Sequence, residues 1–271
     1  MDRTNCLAPL AAIALLSTMS AGAALAQEAR PELSPISRVA AARAEQAKEA
    51  GDSGDRVFGG NEADPGEWPF QVALLSSGML DDSVISQANA QFCGGSLIAP
   101  QWVLTAAHCV TDGGQTIPAT AVTILTEATA LTEGKRYAVA EIVRHEGYSE
   151  ITLDNDIALI KLAEPATAPT VKLVESRGED SGKVRVTGWG RMDNGSFPVN
   201  LMEAEIELQP NAACNEGIRA IYARDLEMIL RNFAPRMLYS DAGISTATRS
   251  MVDTMSDRLT DNMICAGTTS G

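Results

Sequence analysis

The sequence predicts an all-β fold, a barrel or sandwich assembled from many short strands. Six runs of β-type residues point to it: Gln71–Leu75, Ser96–Ile98, Val122–Leu125, Ile157–Leu162, Val184–Thr187 and Ala204–Leu208. The runs are separated by Gly, Pro, Asn and Asp, the residues that turn a chain between strands. Hydrophobic residues make up 45% of the chain and aromatic ones only 4%, so small aliphatic side chains must fill the core. A length of 271 residues suits one large domain or two small ones. One segment departs from the β pattern. Ile218, Ile221, Tyr222, Ile229, Leu230 and Phe233 recur at helical spacing, and Pro235 is expected to stop that helix. The polar stretch Ser240–Asp257 then reads as a long, partly helical surface insertion.

Residues 1–26 read as a signal peptide rather than as fold. Arg3 supplies an n-region, Leu7–Leu25 is apolar with many small residues, and Ala24-Leu25-Ala26 is a processing site with cleavage after Ala26. Ser17, Thr18 and Ser20 interrupt the run and argue against a membrane anchor, and no later stretch could span a bilayer. The mature chain is therefore expected to be secreted or periplasmic, with no membrane partner. Its formal charge of −14 excludes a nucleic-acid partner, because phosphate binding needs a cationic surface. Cys6 leaves with the signal, and Cys93, Cys109, Cys214 and Cys265 remain. An even count outside the cytosol reads as two disulfides. There is no C-x₂₋₄-C pair for zinc, and no cofactor or metal is expected. In residues 27–56, Ser34-Pro35 can start a helix, Val39–Ala50 can continue it and Gly51 can end it. This segment has few large apolar residues, so it reads as a pro-segment or spacer without a core of its own.

The chemistry is carried by motifs. Cys93-Gly94-Gly95-Ser96-Leu97-Ile98-Ala99-Pro100-Gln101-Trp102-Val103-Leu104-Thr105-Ala106-Ala107-His108-Cys109 resembles the histidine loop of the chymotrypsin–trypsin family of serine endopeptidases. Asp154-Asn155-Asp156-Ile157-Ala158-Leu159-Ile160-Lys161-Leu162 resembles the family's aspartate segment, and Asp156 follows His108 by 48 residues. Arg56-Val57-Phe58-Gly59-Gly60, with Gly66-Glu67-Trp68-Pro69-Phe70-Gln71-Val72 behind it, is similar to the family's zymogen activation site. Val186-Thr187-Gly188-Trp189-Gly190, Leu208-Gln209-Pro210 and Asn262-Met263-Ile264-Cys265-Ala266-Gly267 extend the resemblance, which runs from Arg56 to Gly267.

The resemblance implies two antiparallel six-stranded β-barrels, residues 57–175 and 180–271, with a site in the cleft between them. It implies a serine endopeptidase acting on protein or peptide substrates, with no cofactor. His108 would be the general base, since a serine hydroxyl needs a base titrating near neutrality to become a nucleophile. Asp156 would fix the imidazole tautomer. Cleavage between Arg56 and Val57 by an activating protease would free a new N-terminus. Disulfides Cys93–Cys109 and Cys214–Cys265 follow from the same resemblance, as does a core position for Trp189 and close backbone approach at Gly188 and Gly190. His145 receives no role, and Glu127, Glu133 and Glu141 lack the Asp/Asn-rich spacing of a calcium loop.

The family's G-D-S-G-G nucleophile segment does not follow the Cys265-Ala266-Gly267 element before Gly271. Gly51-Asp52-Ser53-Gly54 imitates it but precedes the activation site, and Ser270 has no following backbone to build an oxyanion hole. The expectation is a C-terminally truncated chain, inactive as written, whose second barrel lacks its closing strands. The alternative is a protease homologue that has lost its serine and acts as a binding or regulatory module.

Overall fold

The computed structural model of the chain describes residues 34–49, 60–175, 181–192, 194–237 and 239–267. The expected signal peptide and cleavage after Ala26, the Arg56–Val57 pair, Ser53 and Ser270 lie outside the described residues. In chain order the elements are α1 (Pro35–Glu49), β1 (Asn61–Glu62), β2 (Gln71–Ser76), α2 (Ile85–Ala90), β3 (Gln91–Ala99), β4 (Trp102–Thr105), β5 (Thr111–Asp112) and β6 (Gln115–Thr116). They continue with β7 (Val122–Thr126), β8 (Lys135–Arg144), β9 (Ala158–Leu162), β10 (Gly182–Gly188), β11 (Met202–Gln209), α3 (Asn211–Met237), α4 (Asp241–Asp253) and β12 (Cys265–Gly267).

Strands β2, β3, β4, β9, β8 and β7 close into an antiparallel barrel in that order. Closure leaves no free strand edge. Alternation sends Ala158, Ile160 and Leu162 of β9 inward while Leu159 and Lys161 stay half-exposed. β2 breaks this alternation, because Gln71–Leu75 are all buried. Val72 and Leu74 face the barrel core with Leu97, Val103, Ile124 and Ile160. Ala73 and Leu75 face a second cluster that holds Leu125, Leu131, Trp189 and Leu201. β2 is thus covered on both faces, and Trp189, expected in the core, is only 1% exposed. Close packing also explains one glycine: a Cβ at Gly95 would sit 2.8 Å from Leu104 O and 2.9 Å from Val103 Cγ1.

The second half is an open sheet. β10 pairs along one side of β11, and β1 and β12 share its other side. Between β11 and β12 lies the helical insertion, α3 packed on α4, which buries Ile244 and Thr248. Ser240 caps α4, its hydroxyl accepting from Gly243 N at 3.1 Å. Two asparagines and a disulfide hold the insertion to its return strand. Asn215, 5% exposed, accepts from Arg258 N and Leu259 N and donates to Leu259 O. Asn211 donates to Thr260 O and Met263 O, and Cys214–Cys265 closes a 51-residue loop.

Three expectations are corrected. Pro235 does not end the helix at once: α3 runs to Met237, since a proline near a C-terminus removes only one late backbone bond. Gly188 and Gly190 border open space, with nothing within 4 Å of a Cβ at Gly190 and only Gly190 N at 4.0 Å for Gly188, because both line a cleft. The expected pro-segment or spacer is narrowed, in that its helix of residues 34–49 docks on the barrel and is not free of it. Ser34–Gly271 forms one compact unit, and Ile36 and Val39 of α1 pack on the first-barrel core.

Replacing Asn215 by alanine strands three backbone groups of residues 258–259. The expected cost is about 2–3 kcal/mol, read from the urea midpoint of the purified chain, with Cys214–Cys265 intact.

Candidate active site

β4 ends at Thr105 and a single 3-10 turn, Ala107–Val110, follows. The turn is closed by Cys109 N donating to Ala106 O at 3.2 Å and by the Thr111 hydroxyl donating to Ala107 O at 2.8 Å. It presents His108 at the surface, with 44% of its side chain exposed. Asp156 sits in the loop before β9. Leu153 and Asn155 take left-handed backbone conformations there, φ 58° and 54°, and Asn155 donates from Nδ2 to Gly147 O at 3.2 Å. His145 N donates to Ile157 O at 3.1 Å and fixes the loop base. Because β4 and β9 are neighbours, with Thr105 opposite Ala158, the turn after one meets the loop before the other.

The meeting is tight. Asp156 Oδ1 accepts from the backbone N–H of His108 at 2.8 Å, and Oδ2 lies 2.7 Å from His108 Nδ1. A carboxylate can only accept, so the ring proton sits on Nδ1 and leaves the Nε2 lone pair outward. Nε2 lies 3.6 Å from Cys109 Sγ, which is bonded to Cys93. Among the described residues no serine hydroxyl is hydrogen-bonded to Nε2. Tyr148 flanks the pair, and burial, followed by the Asp156 charge, pushes its phenol up to about 12.

Other singled-out residues fall elsewhere. His145 serves its own turn, Nδ1 accepting from Gly147 N at 3.1 Å. Glu127 accepts from Thr167 Oγ1 and Glu133 from Thr129 N and Ala130 N, while Glu141 is exposed on β8, so the three do not converge. Among the described residues, the one grouping of metal-ligating atoms is Cys93, His108 and Cys109, and both of its sulfurs are committed to a disulfide. Asp154, beside the site, accepts from Thr260 Oγ1 at 2.6 Å and Asn262 Nδ2 at 3.1 Å, tying the loop to the chain before β12.

Residues 57–229 match the family profile described as Trypsin. The chain belongs to the trypsin family. It is 37% identical over 151 residues to Serine protease SP24D of Anopheles gambiae, covering 54% of this chain and 51% of that protein. It is 35% identical over 178 residues to Trypsin Blo t 3 of Blomia tropicalis, covering 62% and 60%. The solved structure of the VesB protease of Vibrio cholerae superposes with a TM-score of 0.50 at 33% identity, over 59% of this chain and 47% of that one. The chain thus spans about half of the length of the curated relatives it matches.

Two features of this trypsin-family site were not read from the sequence. Tyr148 is seen beside Asp156 only once the 145–157 loop is folded. The docking of α1 did leave a signal, since Ile36, Val39, Arg43 and Gln46 recur at helical spacing and mark one face.

Two predictions follow from the geometry of this pair and its neighbour. Asp156→Asn presents an N–H toward the ring, so the histidine proton is expected to move from Nδ1 to Nε2. Nitrogen-15 imidazole spectra of the two chains would report the exchange; unchanged spectra would contradict the Nδ1 assignment. Hydrogen bonds from Thr260 first, then Asn262, hold the Asp154 carboxyl below its usual range. A depressed folded value means the tie is fully present above the unfolded value of about 3.9 and fades as pH falls through the lower folded one. The Tm difference between the parent and Asp154→Asn is therefore constant near neutrality and shrinks below about pH 4.

Proposed function

We propose that this chain carries the histidine and aspartate of a secreted trypsin-like serine endopeptidase precursor, with His108 as general base and Asp156 as the group that orients it. The observation that carries this reading is the double tie of Asp156 to His108, 2.8 Å to the backbone amide and 2.7 Å to Nδ1. In such an enzyme Nε2 takes the proton of a serine hydroxyl as that oxygen attacks the peptide carbonyl, then returns it to the leaving amine. The carboxylate stabilises the imidazolium formed between those steps.

Protein or peptide substrates fit the family. Export would follow signal cleavage after Ala26, and scission of Arg56–Val57 by an activating protease would convert the precursor. The family's G-D-S-G-G segment does not occur after Cys265-Ala266-Gly267 in these residues, and they alone are expected to be inactive. Loss of a nucleophile lowers turnover on the order of 10⁶-fold.

The test uses two purified proteins. Residues 27–271 should neither label with a fluorophosphonate nor hydrolyse a peptide ester. A longer product that reads on through a G-D-S-G-G segment should do both, and His108→Ala should abolish its turnover. Hydrolysis by residues 27–271 that disappears in His108→Ala would overturn the assignment. A folded longer product without activity would favour the non-catalytic binding module.

A further inference from the structure

Helix α1 is keyed into the loop between β10 and β11 in a way its composition does not require. Arg43 is only 4% exposed. Its Nη1 donates to Pro198 O at 3.4 Å, its Nη2 to Trp189 O, and its guanidinium lies 4.6 Å from the centroid of the Phe197 ring. One turn on, Gln46 pairs with the backbone of Phe197 at both ends: Phe197 N donates to Gln46 Oε1 at 2.7 Å, and Gln46 Nε2 donates to Phe197 O at 3.1 Å. A buried guanidinium is costly unless matched; two carbonyl oxygens and a ring face match its two terminal nitrogens and its plane, while Nε is buried without a hydrogen-bond partner. Burial alone pulls Arg43 down to about 9, and it still carries its charge at neutral pH. A lysine could not span two carbonyls and stack in this way.

The helix also closes a cleft. A cavity of about 1170 Å³ has Val39, Ala42 and Gln46 on one side and Cys93, Gly94 and Trp189 on the others. Cys93 is bonded to Cys109, whose sulfur lies 3.6 Å from His108 Nε2. The helix therefore lines a cavity that Cys93 also borders, and it packs on the core cluster that includes Ala107 and Cys109, the neighbours of His108. Segment 27–59 holds no cysteine, so only non-covalent contacts and the connecting residues 50–59 keep it there.

We propose that the 189–198 loop is a receptor for the 34–49 helix, keyed to Arg43 and Gln46, and that the helix stays bound as an internal strap after the chain is cut within residues 50–59. The occupant is this chain's own segment. That the strap also withholds the cleft from a peptide rests on the function proposed above; its retention does not.

The experiment reads binding alone. In the full exported chain, residues 51–55 are replaced by the recognition sequence of a site-specific protease, and the protein is cut and run on a sizing column. The N-terminal fragment should co-elute with the body. Excess synthetic peptide of residues 34–49 should displace it, and the same peptide with Arg43→Ala should compete at least about tenfold more weakly, since a hydrogen-bonded buried charge is lost. Placing the change in the peptide leaves the folding of the body untouched. Spontaneous release of the fragment, or equal competition by the two peptides, would overturn the proposal. Neither result bears on whether His108 is a base, which fluorophosphonate labelling of the longer product decides.

Discussion

One carboxylate organises the candidate site. Asp156 holds the backbone and the ring of the same residue, so it fixes both where His108 is and how its imidazole is turned. Two bonds from one group restrain rotation about χ1 and χ2 together, whereas a ring contact alone would leave the turn free to shift. The restraint is only as good as the placement of the two chain segments. That placement comes from the register of β4 against β9, locked because the first barrel is closed and Val103 and Ile160 are fully buried opposite one another. A slip of one residue would turn that buried face outward. The tie, the register and the core are therefore one constraint seen at three scales.

The sequence was most informative where a motif combines an unusual residue with a patterned flank. His108 and Asp156 are legible because each adjoins a short strand whose alternation is plain, as in Ala158, Ile160 and Leu162. β8 was not legible, although it is the longest strand, with 10 residues. Lys135, Arg136, Glu141 and Arg144 dilute its pattern, and only Tyr137 is fully buried. β2 reads as continuous rather than alternating because Ala73 and Leu75 meet a second cluster, a fact of tertiary packing. The helical spacing of the insertion shows only from Ile218 to Phe233, whereas α3 runs from Asn211 to Met237: its first two turns, Asn211–Gly217, carry few large apolar residues, and Pro235 near the end does not stop it. Asn211 and Asn215 carry no signal at all before the return chain at 258–263 is in place.

α1 shows a different limit. Its mean composition is that of a solvated helix, rich in Ala, Glu and Arg, and composition alone assigns it to no core. The decisive residue is a buried arginine, a type rarely found fully inside a protein, whose terminal nitrogens bond carbonyls that become available only when the 189–198 loop is folded. Periodicity at Ile36, Val39, Arg43 and Gln46 held the information, but one member of the stripe is charged and another polar. A pattern scored on hydrophobicity discards both.

The strap and the histidine pair are connected through the Cys93–Cys109 bridge. On one side the bridge faces Nε2; on the other, Cys93 walls the cavity that α1 covers. Removing the helix would leave both bonds from Asp156 to His108 in place, since neither involves α1. What α1 lines is the cavity bordered by Cys93, and His108, with 44% of its side chain already exposed, is not among the residues around that cavity. The two arrangements are thus independent: the barrel sets the orientation of the imidazole, and the docking of α1 rests on the 189–198 loop. A closed barrel can therefore hold the histidine and aspartate together whether or not the helix is docked.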